Sequence, residues 1–267
     1  MRIRKRTLCF AALLSLTLVV PVAFNPGLFD ISKLSYTSST TRLNQTDSTA
    51  TVLVDPNKIV KDYLLDPGYQ IGDKFQVHIN VSDVPDLYTW NVNMIWNPAM
   101  LNFTGIVVYG DFLAQTTSPY GTSRIVNIAN VNNETGTAVV AESILGEYPG
   151  ISGNGRLVTV EFLIVGYGWT DLTISVAANL PTQLLNSTGD NMSFTTDGGY
   201  FRNTLRGDVN GDGEVNIIDA SGVSAHWYPG PPIGPLGYGR EADINDDREV
   251  NILEVSIVSA NWNRIVP

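Results

Sequence analysis

Asp208-Val-Asn-Gly-Asp-Gly-Glu-Val-Asn-Ile-Ile-Asp219 is the stretch that decides the fold of the C-terminal part of the chain. Side chains that carry oxygen stand at positions 1, 3, 5, 9 and 12 of these twelve residues, and Gly213 stands at position 6, where a metal-binding loop turns sharply. This spacing suits a hard cation such as Ca²⁺, which takes about six to eight oxygen ligands. At position 7 the backbone carbonyl is the expected ligand. The predicted ligands are Asp208, Asn210, Asp212, Glu214, Asn216 and Asp219.

The same pattern returns 35 residues later as Asp243-Ile-Asn-Asp-Asp-Arg-Glu-Val-Asn-Ile-Leu-Glu254. Twelve of twenty positions are identical between 208–227 and 243–262, and both loops run on into Val-Ser-Ala-x-Trp. Coincidence does not explain two matches in register, so the sequence predicts two bound Ca²⁺ ions. Arg248 replaces glycine at position 6 of this loop, which predicts a strained turn costing about 1 kcal/mol. The predicted ligands are Asp243, Asn245, Asp247, Glu249, Asn251 and Glu254.

The segments before the loops do not predict helices. Residues 198–206 have no helical periodicity, and 228–240 contain four prolines and four glycines, which exclude a long helix. Each unit is therefore predicted to be a loop with an exiting helix only. A duplicated loop and helix of this kind resembles the type I dockerin family, over about 206–265.

The dockerin resemblance implies that positions 10 and 11 of each loop recognise a partner protein. Here all four residues are apolar, which favours a hydrophobic contact surface. The alternative is that some of them belong to the small core of the module. The residues concerned are Ile217, Ile218, Ile252 and Leu253.

The middle of the chain, residues 51–203, predicts an all-β domain. Lys74–Val81 alternates, with Phe75, Val77 and Ile79 on one face, and no stretch keeps an apolar period of 3.6. Short strands separated by Gly, Pro and Asn favour a β-sandwich. The candidate strands are 52–56, 74–81, 87–96, 101–109, 123–130, 137–143, 156–165, 171–177 and 191–201.

A series of turn and core residues in this domain is similar to the cohesin family, over about 50–203. The family resemblance implies a nine-stranded jelly-roll β-sandwich, a fold that also resembles some carbohydrate-binding modules. It implies in addition that one sheet face receives a dockerin helix, but the sequence does not identify that face. The series is Val52-x-Val-Asp-Pro56, Gly72-Asp-Lys-Phe75, Asp83-Val-Pro-Asp-Leu-Tyr88, Trp96-Asn-Pro-x-x-Leu101, Gly110-Asp-Phe-Leu113, Gly153-x-Gly-x-Leu157 and Asp197-Gly-Gly-Tyr200.

The N-terminus predicts export. A basic start followed by an apolar stretch makes 1–24 a signal peptide or, if it is not cleaved, a membrane anchor, and 25–50 reads as a Ser/Thr-rich spacer. The single cysteine, Cys9, lies inside this segment, so we expect no disulfide in the exported chain. The expected location is extracellular or at the cell surface. Six Asn-x-Ser/Thr sequons fit a glycoprotein, at Asn44, Asn80, Asn102, Asn133, Asn186 and Asn191.

The net charge of −10 argues against nucleic acid as a partner, since phosphates would be repelled. No catalytic residue is predicted. His78 and His226 lie far apart in sequence, and no motif selects a pair of carboxylates from the three candidates. Sugar stacking by aromatic residues competes with core packing as their role. The carboxylate candidates are Glu142, Glu147 and Glu161; the aromatic candidates are Trp90, Trp96, Trp169, Tyr109 and Tyr120.

Together these features predict a secreted, non-catalytic adaptor with a β-sandwich at 51–203 and a calcium-binding module at 204–267. The two resemblances imply binding to cohesin or dockerin modules of other surface proteins, or to the chain's own β domain, within assemblies related to extracellular polysaccharide. The sequence does not choose between foreign partners and self-association. Two alternatives are a carbohydrate-binding protein with structural calcium repeats and, less favoured, a glycoside hydrolase.

Overall fold

The computed structural model describes residues 49–110, 112–113, 128–227 and 240–267. The expected leader, nearly all of the spacer, Cys9, Asn44 and Tyr120 lie outside the described residues. Within the described ranges, none of the helices has the length and hydropathy needed to span a membrane.

The described residues form twelve strands and two helices, which confirms a mainly β chain with a small helical module. The strands are β1 (Ala50–Asp55), β2 (Lys58–Val60), β3 (Lys74–Leu87), β4 (Thr89–Ile95), β5 (Leu101–Tyr109), β6 (Ile128–Asn132), β7 (Thr137–Ser143), β8 (Ile151–Ile164), β9 (Trp169–Ile174), β10 (Gln183–Leu185), β11 (Phe194–Asp197) and β12 (Gly199–Arg202). The helices are α1 (Ile217–Ala225) and α2 (Ile252–Ala260).

The strands make two sheets that pack face to face. One sheet has the order β11-β1-β3-β8-β5, and the other has the order β2-β12-β9-β4-β7-β6 with β10 added beside β4. A single buried cluster takes residues from both sheets, such as Val77 and Phe162 from the first and Met94 and Leu172 from the second. The alternation predicted for β3 is present, because its apolar side chains are buried at every second residue over Phe75–Val81.

Twelve strands are present where the resemblance implied nine, because β2 and β10 lie outside the predicted strands and the predicted strand 191–201 divides into β11 and β12. The chain changes sheets at two of these places. At Asp55-Pro56 it leaves β1 in the first sheet and enters β2 in the second, since proline has no N–H with which to continue the ladder. At Gly198 it passes from β11 to β12 in the same way. A Cβ at Gly198 would lie 2.9 Å from the carbonyl oxygen of Leu172, so this crossing has no room for a side chain.

The C-terminal module has its own small core. Residues from equivalent positions of the two repeats fill it, because Val215 corresponds to Val250 and Val223 to Val258, and all four are buried. Each helix begins with a capping box, formed by Asn216 with Asp219 in α1 and by the equivalent pair in α2. Strand β12 and an irregular segment precede the first loop, so the prediction that no helix enters it is confirmed.

Candidate metal-binding loops and the surface beside them

The first loop folds around the carboxylate of Asp208, which is fully buried. Its Oδ1 accepts a hydrogen bond from the Gly211 amide at 2.7 Å, and its Oδ2 accepts one from the Gly213 amide at 2.9 Å. The hydroxyl of Tyr167, which lies between β8 and β9, also donates to Oδ2, at 2.6 Å. Burial raises the pKa of Asp208, although these donors oppose that effect, and the nearby charge of Asp219 raises it further.

The last acid of the first loop, Asp219, is also fully buried. It closes the loop, because its Oδ1 accepts the Val209 amide at 2.7 Å while its Oδ2 accepts the Asn216 amide at 2.8 Å. The side-chain amide of Asn210 donates to Asp212 at 2.8 Å, so positions 3 and 5 also meet. Hydrogen bonds therefore connect five residues of the predicted set, Asn210, Asp212, Glu214, Asn216 and Asp219.

The second loop brings three carboxylates together. One oxygen from each of Asp243, Asp247 and Glu254 lies within 4.8 Å of the others. Oδ1 of Asp243 and Oε1 of Glu254 are buried and accept no hydrogen bond from the described residues. Burial raises the pKa of Asp243, the Arg248 amide that donates to its Oδ2 at 3.0 Å opposes that effect, and the charges of Asp246 and Asp247 raise the pKa further. Within the described ranges, the acids of the first loop do not converge in this way.

These orphaned oxygens test whether calcium fits the loop. A buried carboxylate oxygen without a donor is costly unless a cation neutralises it. The donor set contains only oxygen, from carboxylates, amide side chains and backbone carbonyls, which is what Ca²⁺ prefers. The residues of the second loop therefore fit calcium, and the first loop is a candidate site because it repeats the same pattern of oxygen-bearing residues.

Left-handed backbone conformations recur at the same places in both loops. At position 6, Gly213 has φ 89° and Arg248 has φ 68°, so the strain predicted for Arg248 is present as a backbone outlier. A second such place, which was not predicted, is position 4, where Gly211 has φ 75° and Asp246 has φ 66°. The only available signal was the Gly–Asp exchange between the repeats, since both residue types tolerate this conformation better than others do.

The four aliphatic residues that follow the loops are exposed. Ile217 and Ile218 are 65% and 55% exposed at the start of α1, and Ile252 and Leu253 are 61% and 52% exposed at the start of α2. The alternative that they belong to the core of the module is wrong, because that core is filled by other side chains. Their role in recognition stays a prediction. Trp227 and Trp262, which occupy the same position in the two repeats and were not among the predicted contact residues, are also exposed.

The module contacts the sandwich of its own chain through other residues. Arg264 forms a two-pronged ion pair with Asp62, which follows β2, at 2.8 and 2.9 Å. Lys58 of β2 pairs with Asp246, and the Arg240 guanidinium lies 4.0 Å from the centre of the Tyr200 ring. The four exposed aliphatic side chains take no part in these polar contacts. All four remain more than half exposed, so they are not buried against the sandwich of the same chain.

The two histidines and two of the three carboxylate candidates lie in different elements of the described structure. His78 in β3 forms a hydrogen bond with Thr159 of the neighbouring β8 at 2.8 Å, and His226 at the end of α1 forms one with the carbonyl of Gly222 in the same helix at 2.9 Å. Glu161 in β8 pairs with Lys74, while Glu142 in β7 belongs to the other sheet.

The aromatic residues considered for sugar stacking divide into three groups. Trp90 and Trp96 are buried, so the core explanation holds for both. Tyr109 packs 6.4 Å from Trp90 between ring centres. Trp169 lies against Gly211, where a Cβ would come within 2.6 Å of its ring.

Residues 206–263 match the family model of the dockerin type I domain. No curated protein sequence gives a match. Solved structures that the chain resembles include a complex of the third cohesin ScaC with the ScaB dockerin from Acetivibrio cellulolyticus (16% identity, 59% of this chain and 100% of that chain, TM-score 0.45). Another is a non-cellulosomal cohesin from the archaeon Archaeoglobus fulgidus (15% identity, 61% of this chain and 96% of that chain, TM-score 0.43).

A third similar structure is a type I cohesin–dockerin complex from Clostridium thermocellum (13% identity, 58% of this chain and 98% of that chain, TM-score 0.43). The family model confirms the dockerin resemblance of the C-terminal segment. Likenesses as weak as those to the solved structures do not by themselves give the sandwich a function or a partner.

Proposed function

We propose that this chain is an extracellular, non-catalytic adaptor that binds other proteins through its calcium-loaded, dockerin-like module. The observation that carries the proposal is the pair of exposed aliphatic surfaces at the starts of α1 and α2, each following a calcium-type loop inside the segment that matches the dockerin type I model. Domains of that family bind calcium. The solved complexes named above pair dockerins with cohesins, which supports a cohesin as the partner.

Calcium and the aliphatic surface are linked through the helix starts. Position 9 of the first loop, Asn216, is also the N-cap of α1, and position 12, Asp219, completes its capping box. The same double use occurs in the second repeat. When bound, the ion would supply the positive charge that holds these oxygens together. Fixing the loop thereby fixes the direction in which Ile217 and Ile218 project.

The energy available at this surface is large enough for specific binding. Complete burial of an aliphatic side chain of this size contributes about 1.5–3 kcal/mol, and each helix start offers two of them. Part of this gain is offset by the cost of association, so an apolar, complementary partner surface is required. The proposal includes the finer expectations of two calcium ions, a cohesin-like jelly-roll sandwich at 51–203, a module at 204–267, glycosylated export and a role in polysaccharide-related assembly.

Binding of the full chain to purified type I cohesin modules, measured with calcium and with chelator, tests the proposal. Sedimentation of the chain alone tests binding to a second copy. Replacing Ile217 and Ile218 by Asp should abolish binding through the first repeat while preserving α1, since acids are favourable in the first turn of a helix. Replacing Ile252 and Leu253 by Asp tests binding through the second repeat in the same way.

Val176→Asp is the matched control, because Val176 is an aliphatic residue of the sandwich with 63% exposure. We expect each helix-start variant to lose calcium-dependent binding through its own repeat, a variant with all four substitutions to lose all of it, and Val176→Asp to keep it. Undiminished binding in a chain that carries all four helix-start substitutions would refute the assignment of the surface.

A further inference from the structure

The two candidate calcium loops differ in how the β-sandwich supports them. Both oxygens of the Asp208 carboxylate in the first loop accept hydrogen bonds, whereas Oδ1 of the equivalent Asp243 accepts none from the described residues. Asp208 is fully buried, but Asp243 is only partly so. The donor to Oδ1 of Asp208 is the Gly211 amide of the same loop, so the difference at Oδ1 arises at position 4 of the repeats. The third donor to Asp208, the Tyr167 hydroxyl, comes from outside the repeats.

Three sandwich residues surround the first loop. The Tyr167 hydroxyl donates to Oδ2 of Asp208 at 2.6 Å and accepts the Leu205 amide at 2.7 Å, so its own position is set from both sides. Arg202, the last residue of β12, donates to the backbone carbonyl of Asp208 at 2.7 Å. The ring of Trp169 covers Gly211 so closely that a Cβ there would lie 2.6 Å from it.

The second loop has no matching support of its ligands. Position 4 carries Asp246 instead of glycine, and that side chain is exposed and paired with Lys58. In the described part of the chain, no sandwich side chain donates to a carboxylate of Asp243, Asp247 or Glu254. The sandwich therefore contacts both loops but holds the first ligand of only one of them.

We infer that the β-sandwich is a structural part of the first calcium site, with Tyr167 as the residue that positions its first ligand. A carboxylate has about four acceptor sites, and Gly211, Gly213 and Tyr167 occupy three on Asp208. Together these three donors hold the Asp208 carboxylate in one orientation. Outer hydrogen bonds of this kind contribute about 10- to 100-fold to metal affinity.

The ring of Tyr167 is itself held in place. It packs edge-on against Tyr63, at 5.2 Å between centroids and 77° between planes, and both rings lie on the core of the module. Removing only the hydroxyl should leave this packing unchanged. Tyr167→Phe therefore removes the hydrogen bond to Asp208 together with the bond that the hydroxyl accepts from the Leu205 amide. Tyr63→Phe is its matched control, because no hydrogen bond joins the Tyr63 hydroxyl to a loop carboxylate within the described residues.

The inference rests on the proposed calcium binding, and calorimetric titration of the full chain with Ca²⁺ tests it. Two backgrounds separate the sites: Asp243→Asn with Glu254→Gln disables the second loop, and Asp208→Asn with Asp219→Asn disables the first. We expect Tyr167→Phe to weaken calcium binding about 10-fold when only the first loop is active and to leave it unchanged when only the second is active. Tyr63→Phe should have no effect in either background.

The same substitution in the otherwise wild-type chain gives a second measurement if a background fails to fold. One of two calcium-binding events should weaken there while the other stays as it was. Equal weakening of both sites, or unchanged affinity at the first, overturns the role of Tyr167 and leaves calcium binding itself intact. A wild-type chain that takes up no calcium overturns the proposed calcium sites, and the inference with them.

Discussion

The ion pair between Asp62 and Arg264 ties the last residues of the chain to the sandwich, and Asp62→Asn is expected to weaken that tie. Two guanidinium nitrogens of Arg264 bond the two carboxylate oxygens, and the amides of Leu64 and Arg206 donate to the same carboxylate at 2.9 and 3.2 Å. The side chains are 10% and 22% exposed, so the pair is largely shielded from water.

The burial of this pair sets the size of the effect. An exposed ion pair contributes about 0–1 kcal/mol, whereas loss of one partner from a buried pair costs about 3–5 kcal/mol. The Asp62–Arg264 pair lies between these cases, so we expect a loss of about 2 kcal/mol in the free energy of unfolding. A loss of about 2 kcal/mol lowers the unfolding temperature of a protein of about 150–250 residues by about 4–8 °C.

Thermal unfolding of the full chain at saturating calcium, followed by circular dichroism, measures the loss. Glu161→Gln is the matched control, because it breaks the 2.8 Å pair with Lys74 on the exposed side of the same sandwich. That variant should unfold close to the wild-type temperature. Equal shifts in the two variants would show that burial of the Asp62 pair does not govern its contribution.

The pH dependence gives a second check. Burial alone would raise the pKa of Asp62, but the hydrogen bonds from Arg264 and two backbone amides outweigh it and hold that pKa below its usual value of 3.8. A carboxyl with a lowered pKa stabilises the folded state above its unfolded pKa, and this contribution is lost as the pH falls through the folded pKa. The wild-type advantage over Asp62→Asn should therefore be complete above about pH 4 and shrink in stronger acid. An advantage that persists unchanged in strong acid would contradict the assignment.

Two further predictions concern the loops. Arg248→Gly is expected to stabilise the chain by up to about 1 kcal/mol, because relief of the left-handed strain exceeds the added flexibility of the unfolded chain, and a lower denaturant midpoint would contradict this. Asp208→Ala with Asp243→Ala should remove the rise in unfolding temperature that calcium gives the wild-type chain, since each loop loses its first ligand. Asp190→Ala with Asp197→Ala, which removes the same charge outside the loops, should retain that rise; a calcium response that survives in the first double variant would refute the ligand assignment.

Much of the site could be predicted because its chemistry is local. Each set of predicted ligands falls within twelve residues, and the helix that follows starts at a predicted ligand that is also its N-cap, as for Asn216. Spacing alone therefore placed both loops and both helix starts. It also identified Arg248 as a strained residue, since the repeat with Gly213 defines the expected conformation at position 6.

The strand pattern was predicted in part for the same reason. Alternation over Phe75–Val81 identified β3, and the segment 137–143 became β7 with the predicted bounds. The two three-residue strands, β2 and β10, were missed, because a stretch of three residues is too short to show a period. The division of 191–201 between two sheets was also missed, since no local signal distinguishes a crossing strand from a continuous one.

By itself, the sequence determined two oxygen-rich loops with exiting helices, the four apolar residues at the helix starts and a chain of short strands before them. Only the tertiary structure decided that those apolar residues are exposed. It alone placed Tyr167 against Asp208, 41 residues away, and Asp62 against Arg264, 202 residues away. Residue spacing reports what neighbours in the chain can do together, whereas contacts over such separations depend on how both sheets and the module pack as a whole.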